Sequence, residues 1–193
     1  MNGRGGVSST QGIPKWQEVN GIMRDRKISI LALQETHLDD GYLEDIKTLY
    51  PRLHVINSAH EQATSTAGVA FVLNRGHIEN PDATQMWEII PGRAMVIRIE
   101  WKGHQMFLMN VYGYNDQANS SNMWRRIQTW LDENAASVPQ IDAMMGDMNL
   151  VEDEMDRAPL RIKTRLLDAW RKFNPGKLEW TWRRPGRPPD YPI

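Results

Sequence analysis

Three short runs place oxygen-bearing side chains directly after apolar stretches: Gln34-Glu35-Thr36, Asn110-Val111-Tyr112 running on to Asn115, and Gly146-Asp147-Met148-Asn149. Together they offer two carboxylates and several amides, a hard-oxygen set. Mg²⁺ and Mn²⁺ accept such a set, with one or two carboxylates and the remaining positions filled by water and substrate phosphate. The chemistry this suits is phosphodiester hydrolysis. A cation offsets charge in the transition state, a carboxylate orients or deprotonates the attacking water, and amides hold phosphate oxygens. Each run alone is a weak signal, since a carboxylate closing a strand is commonly a cap and Gly-Asp-X-Asn is also an ordinary turn. Their order and their shared place at strand ends give the set its specificity.

The elements that must carry these runs can be read from hydrophobic spacing. Residues 1–14 form a Gly- and Ser-rich loop ending at Pro14. Trp16, Val19, Ile22 and Met23 then recur at helical spacing to about Arg26. Ile28 to Leu33 is a buried strand that delivers Gln34 and Glu35 at its C-terminal end. A helix is predicted over Leu43–Leu49, stopped by Pro51, and a strand over His54–Asn57. Small polar residues at 58–67 make a loop before an apolar strand, Gly68–Leu73. Residues 74–92 read as mostly irregular, with a short extended piece near Trp87–Ile90. Met95–Trp101 and Gln105–Tyr112 flank Lys102-Gly103 and predict a β-hairpin. Met123, Ile127, Trp130 and Leu131 mark one face of a helix, and Ile141–Met145 a strand that feeds Gly146. A last helix is predicted over about Lys163–Phe173. Strands interleaved with helices imply an α/β layered domain of two sheets faced by helices. Polar groups at strand ends then converge at one sheet edge, on a rigid base.

The chain has 193 residues, 40% hydrophobic and 24% charged, which suits one soluble domain. Its formal net charge of −1 lacks the global excess of Lys and Arg common in nucleic-acid binders. Phosphate-backbone contact would need a local patch or a metal. Arg4, Arg125, Arg126 and the tail residues Arg183, Arg184 and Arg187 are the patch candidates, with solvated surface charge the plainer account of each. The absence of cysteine excludes disulfides, thiolate metal sites and cysteine nucleophiles, and fits a reducing compartment. No apolar run approaches the ~20 residues of a membrane span, and no apolar block opens the chain. An intracellular protein of nucleus or cytoplasm, neither secreted nor membrane-bound, is expected. The eight tryptophans are expected to pack in core and grooves.

Gln34-Glu35-Thr36 resembles the metal-binding Gln-Glu-Thr motif of the endonuclease/exonuclease/phosphatase superfamily. Gly146-Asp147-Met148-Asn149 resembles its Gly-Asp-Phe-Asn motif, with Met for Phe. Gly68-Val69-Ala70 and Asn110-Val111-Tyr112 are similar to its interior strands, and Asn2 to its first active-site asparagine. Asp156-Arg157, Leu167-Asp168-Ala169-Trp170-Arg171 and Trp180-Thr181-Trp182 are similar to runs in endonuclease domains of LINE-type retrotransposons. The resemblance implies a DNase I-like four-layer α/β sandwich, two mixed β-sheets flanked by helices, spanning residues 1–193 as a single domain. It implies a monomer acting on DNA with Mg²⁺ or Mn²⁺. Glu35 would hold the metal, with Asn2 supporting it and Asp147 contributing. Asp147 would also position or activate the attacking water, Asn149 would bind the scissile phosphate, and Tyr112 and Asn115 would line the phosphate pocket.

This sequence also departs from the pattern. The family's Ser-Arg-Ile-Asp and Ser-Asp-His segments are expected after Trp182 and are not found before Ile193, and no complete strand precedes Asn2. On that basis the domain is expected to be incomplete at its C-terminus, lacking its last strands, with residues 183–193 a disordered tail. Unpaired strand edges would then make the product marginal. The missing histidine is the family's acid/base residue, and general acid–base catalysis is worth ~10²–10⁴ in rate. His37 follows Glu35 closely enough to point toward the same edge. His37, His54, His60, His77 and His104 are otherwise expected at the surface or in turns. Three functions follow: a retrotransposon-type endonuclease, impaired or inactive as this fragment; a repair nuclease or a phosphatase acting on a phosphorylated lipid or sugar; and an inactive remnant that binds nucleic acid or a partner.

Overall fold

The computed structural model describes residues 12–60 and 67–149. Asn2, Arg4, the helix expected near Lys163–Phe173, the runs between Asp156 and Trp182, and the tail arginines lie outside the described residues.

Two sheets face each other, each covered on its outer side by helix. The first is antiparallel, in the order β1 (Ile30–Gln34), β3 (Val69–Asn74), β2 (Leu53–Ser58). The second runs β4 (Gln85–Ile90), β5 (Ala94–Trp101), β6 (His104–Tyr112), β7 (Ala143–Asp147). Its first three strands are antiparallel, and β7 lies parallel to β6. The parallel pair requires a crossover, which α3 (Gln117–Glu133) supplies.

The period-2 alternation of strands decides which residues enter which core. In β3 every residue is buried. Val69, Phe71 and Leu73 point between the sheets, where they meet Met95, Ile97, Ile99 and Leu108. Val72 points the other way, onto α1 (Gly12–Asp25) and α2 (Asp40–Leu49), against Trp16, Val19, Met23 and Ile46. Across the second sheet, Ala94, Val96, Phe107, Met109 and Val111 pack on Met123, Trp124 and Ile127 of α3. The result is four layers, helix–sheet–sheet–helix. With each large buried side chain worth ~1.5–3 kcal/mol, the inter-sheet layer is a base rigid enough to hold local backbone strain at its rim.

Element boundaries differ from the hydrophobic spacing where polar caps set them. Asp39 accepts the Tyr42 N–H at 2.8 Å, so α2 starts at Asp40 and not at Leu43. Asp116 accepts the Asn119 N–H at 2.9 Å and starts α3 six residues before its first apolar anchor, Met123. Residues 74–92 are more regular than expected, holding a 3₁₀ turn at Pro81–Ala83 and the six-residue β4. Exposed Gln85, Met86 and Glu88 on this edge strand hide its alternation. The hairpin matches its prediction: Lys102 and Gly103 have φ of 53° and 75°, the two positive values of a type I′ turn.

Candidate active site

The register brings the three polar runs to one rim. Gln34 pairs with Val69, which pairs with Ser58; in the second sheet Ala94 pairs with Val111, which pairs with Gly146. Gly68 N donates to Gly92 O at 3.0 Å, so the sheets are tied together at this end.

Asn110 makes a second tie. It shares a face with Leu108, points into the inter-sheet layer and is fully buried. Its amide donates to Leu33 O (3.0 Å) and Ala70 O (2.9 Å) and accepts from Gln34 Nε2 (2.7 Å). A buried amide is stable only when bonded in this way. Asn110 and Gln34 are therefore consumed in joining the sheets and do not face a ligand.

Just past this lock stands Glu35. Its backbone is left-handed (φ 52°), as is that of His37 (φ 50°). Such a conformation costs a non-glycine residue about 1–3 kcal/mol and persists only where the surroundings enforce it. Here Thr36 N bonds Gly68 O (3.2 Å) and Thr36 Oγ1 donates to Asn57 Oδ1 (3.0 Å). Gly68, at φ 102°, leaves no room for a Cβ against Thr36. Glu35 Oε1 accepts a short hydrogen bond from the Tyr112 hydroxyl, while Oε2 is buried with no partner. Burial first, then the bond to Glu35 and its charge, push the Tyr112 hydroxyl up to about 12. Arg93 opposes that shift, and Asp147 adds to it.

Asp147 closes β7 opposite Tyr112 and is exposed. Its Oδ1 accepts the Asn149 N–H at 3.0 Å, which fixes the Gly-Asp-Met-Asn turn with Asn149 at φ 48°. Asn149 Nδ2 donates to Gly113 O at 2.8 Å, and Gly113 N donates to Asp147 O at 2.7 Å. Two glycines permit this approach. A Cβ at Gly113 would overlap the Met148 carbonyl, and one at Gly146 the Val111 carbonyl.

The structure thus gathers Glu35, Tyr112, Asp147 and Asn149. Asn115 is exposed in the loop before α3, and no hydrogen bond ties it to the Glu35–Tyr112 pair. Arg125 and Arg126 are exposed on α3, which covers the outer face of the second sheet. His37 Nδ1 is buried without a partner beside the Glu35 turn. His54 departs from the surface expectation: it sits within β2, half-buried, against Arg75 and Asp82.

Arg93 was not anticipated. Its guanidinium lies over the rings of Tyr112 (4.5 Å) and Tyr114 (4.3 Å), and Nη1 donates to Gly113 O (3.1 Å) and Tyr112 O (3.4 Å). The available signal was an arginine in the Pro91-Gly92-Arg93 turn, directly before the apolar opening of β5.

The donor set fits a hard divalent cation. Glu35 Oε2 is an orphaned anionic oxygen, and a buried charge of that kind is costly unless a cation or proton meets it. Among the described residues no three His, Asp or Glu side chains gather to make a full cage. The fit is therefore of the Mg²⁺ kind, few protein ligands with water and substrate completing the shell.

No protein-family model matches the chain, and no curated protein matches it in sequence. Solved structures do match in shape. A humanized D. rerio TDP2 aligns with a TM-score of 0.55 at 13% identity, over 79% of this chain and 65% of that one. A truncated Caenorhabditis elegans TDP2 aligns at 0.53 and 18%, over 82% and 64%. A mannosyl-6-phosphatase of Bacteroides thetaiotaomicron VPI-5482 aligns at 0.54 and 14%, over 77% and 63%. An endonuclease/exonuclease/phosphatase family protein of Bacteroides thetaiotaomicron is similarly placed, at 0.53 and 14% over 77% and 60%. The chain spans less than two thirds of the length of these structures. At such identities the likeness establishes the fold: this is the DNase I-like α/β sandwich shared by endonuclease/exonuclease/phosphatase proteins. Among the described residues no helix is long and apolar enough to cross a membrane.

Proposed function

We propose that this chain is a divalent-metal-dependent phosphodiesterase that cuts DNA as an endonuclease. The observation that carries the proposal is the state of Glu35: a strained, partly buried carboxylate with one oxygen fixed by Tyr112 and the other without a partner. Strain and an unmet charge at one residue are costs a purely structural position would not retain.

Glu35 Oε2 would hold Mg²⁺ (or Mn²⁺), with Asp147 and Asn2 contributing. When bound, the ion would supply charge neutralisation at the phosphate and a water of lowered pKa. The chain's own groups do the rest. Tyr112 donates to Glu35 and keeps the carboxylate aimed. Asp147, exposed at the end of β7, orients the attacking water and accepts its proton. Asn149 presents its amide beside the rim for a phosphate oxygen, and Asn115 lines the approach.

Two further points support DNA as substrate. A D. rerio TDP2 of the same fold has been seen in complex with a single-strand DNA product. The runs at Asp156-Arg157, Leu167–Arg171 and Trp180–Trp182 resemble LINE-type retrotransposon endonucleases, which favours a retroelement origin. A second reading keeps the chemistry and changes the substrate to a phosphorylated sugar or lipid, favoured by the equal likeness to the mannosyl-6-phosphatase.

The test is nicking of supercoiled and abasic duplex DNA, beside a sugar phosphate and a phosphoinositide, with Mg²⁺ and with chelator. Metal-dependent nicking that Glu35→Gln abolishes supports the endonuclease. Turnover of the small phosphoesters alone moves the assignment to a phosphatase. No turnover of any substrate with a folded protein overturns the enzymatic reading and leaves a binding remnant.

A further inference from the structure

We propose that Arg93 is a positioning residue that holds the three strand ends in working register; the inference deepens the hydrolase reading and rests on it for its kinetic arm. Arg93 immediately precedes β5, between the sheets' shared rim and the β6 end. Its guanidinium is clamped between the Tyr112 and Tyr114 rings at 4.5 and 4.3 Å. Each ring face attracts the cation through its quadrupole, the more strongly where water is excluded.

The hydrogen bonds add direction. Arg93 Nη1 donates to Gly113 O at 3.1 Å, and Asn149 Nδ2 donates to the same oxygen at 2.8 Å. One carbonyl therefore carries both the arginine and the phosphate-binding asparagine. Arg93 O accepts the Tyr112 N–H at 2.7 Å, and Tyr112 passes the constraint on to Glu35 through its hydroxyl. Glu35 just past β1, Tyr112 at the end of β6 and Asn149 just past β7 are thus linked through the residue that precedes β5. No carboxylate pairs with Arg93 among the described ion pairs, so ring faces and carbonyls hold it in place of a salt bridge.

The planar fork is what this needs. It stacks on two rings and donates in its own plane, which a lysine ammonium cannot do together. Arg93→Lys keeps the charge and loses the geometry.

The experiment compares amide spectra of the ¹⁵N-labelled 193-residue chain as wild type, Arg93→Lys and Tyr114→Leu, with steady-state kinetics on the substrate cleaved. Arg93→Lys is expected to move the Asn149 side-chain amide and the Gly113 N–H while leaving α2 amides in place. Tyr114→Leu, which removes one face of the clamp, moves the same signals. In the kinetic arm kcat falls about 10–100-fold with KM nearly constant, as misplacement of reacting groups produces. Unmoved Asn149 and Gly113 signals overturn the proposal, whatever the activity. So does a rise in KM with kcat intact, which makes Arg93 a substrate contact, or full activity in Arg93→Lys, which makes it a charge alone. Moved signals in a wild type without hydrolysis leave Arg93 as a positioning residue and defeat the hydrolase reading instead.

Discussion

Tyr112 and Glu35 stand 77 residues apart in the chain, and the hydrogen bond between them joins the ends of β6 and β1 across the gap between the sheets. The bond holds only while the phenol keeps its proton, and its surroundings favour that form: burial and the Glu35 carboxylate raise the Tyr112 pKa to about 12.

A pH dependence follows. The folded pKa lies above the ordinary value of 10.0, so the stabilisation is fully present below about pH 10 and is lost as pH rises through about 12. Titration of phenolate absorbance should show a final ionisation step from Tyr112, beyond the rise that burial gives Tyr42 as well. Tyr112→Phe is expected to remove that final step. If the last step survives in Tyr112→Phe, the Glu35 bond is not what holds the proton.

Glu35 predicts a conflict between stability and chemistry. Asparagine tolerates a left-handed backbone better than glutamate and carries no charge. Glu35→Asn relieves strain and removes the orphaned Oε2, against the loss of one hydrogen bond of about 1 kcal/mol. In chelator the variant should melt about 2–4 °C above wild type, the shift that ~1 kcal/mol gives a chain of this size. Adding Mg²⁺ should raise the wild-type melting temperature and leave the variant where it was. Equal responses of the two proteins to Mg²⁺ would remove Glu35 from the metal site.

The β6–β7 junction depends on two missing Cβ atoms. Gly146 sits at φ 135° with the Val111 carbonyl in the way of any side chain, and Gly113 faces the Met148 carbonyl. Overpacking and backbone strain together should make Gly146→Ala cost about 3 kcal/mol. Hydrogen exchange should quicken in β7 first, because its only described partner is β6. Gly103→Ala is the control: its turn position has open space around it, and only its φ of 75° resists the change. Exchange that rises evenly over both sheets would contradict a local junction.

The sequence made much of this site legible because its signals were local. An apolar run ending in Gln34-Glu35 or in Gly146-Asp147 announces a strand end, and strand ends in a layered fold share a rim. What it could not show depends on pairing across the fold. Asn110 looked like another rim residue, yet its place in the β6 alternation turns it into the inter-sheet layer, where it ties β6 to the Leu33 and Ala70 carbonyls of the first sheet. Arg93 gave no spacing signal, since its partners Tyr112, Tyr114 and Gly113 lie some twenty residues away. Asn115 belongs to the polar run by position, but the chain turns toward the α3 cap at Asp116 and leaves it exposed, without a bond to Glu35 or Tyr112.

His54 gives a second pH dependence, at the opposite end of the first sheet. It lies in β2 with 22% of its side chain exposed, Nδ1 at 3.0 Å from Arg75 Nη2 and 3.2 Å from Asp82 Oδ1. Asp82 alone would favour a charged imidazole. Arg75 holds both oxygens of that carboxylate at 2.7 Å, however, so its attraction is already answered. Burial first, then the Arg75 charge, with Lys47 adding a little, lower the His54 pKa below its ordinary 6.5. For a base whose folded pKa is depressed, stability is complete above the unfolded value and is lost as pH falls through the folded one. The Asp82 carboxyl, held below its usual range by Arg75, stays ionised across that interval and does not share in it. Melting temperature should therefore decline from about pH 7 to about pH 5, the interval in which histidine titrates. His54→Gln, which fills the same space without a titrating proton, should flatten the decline. A wild-type curve level over that interval, or an unchanged slope in His54→Gln, would show that His54 carries no proton-linked strain.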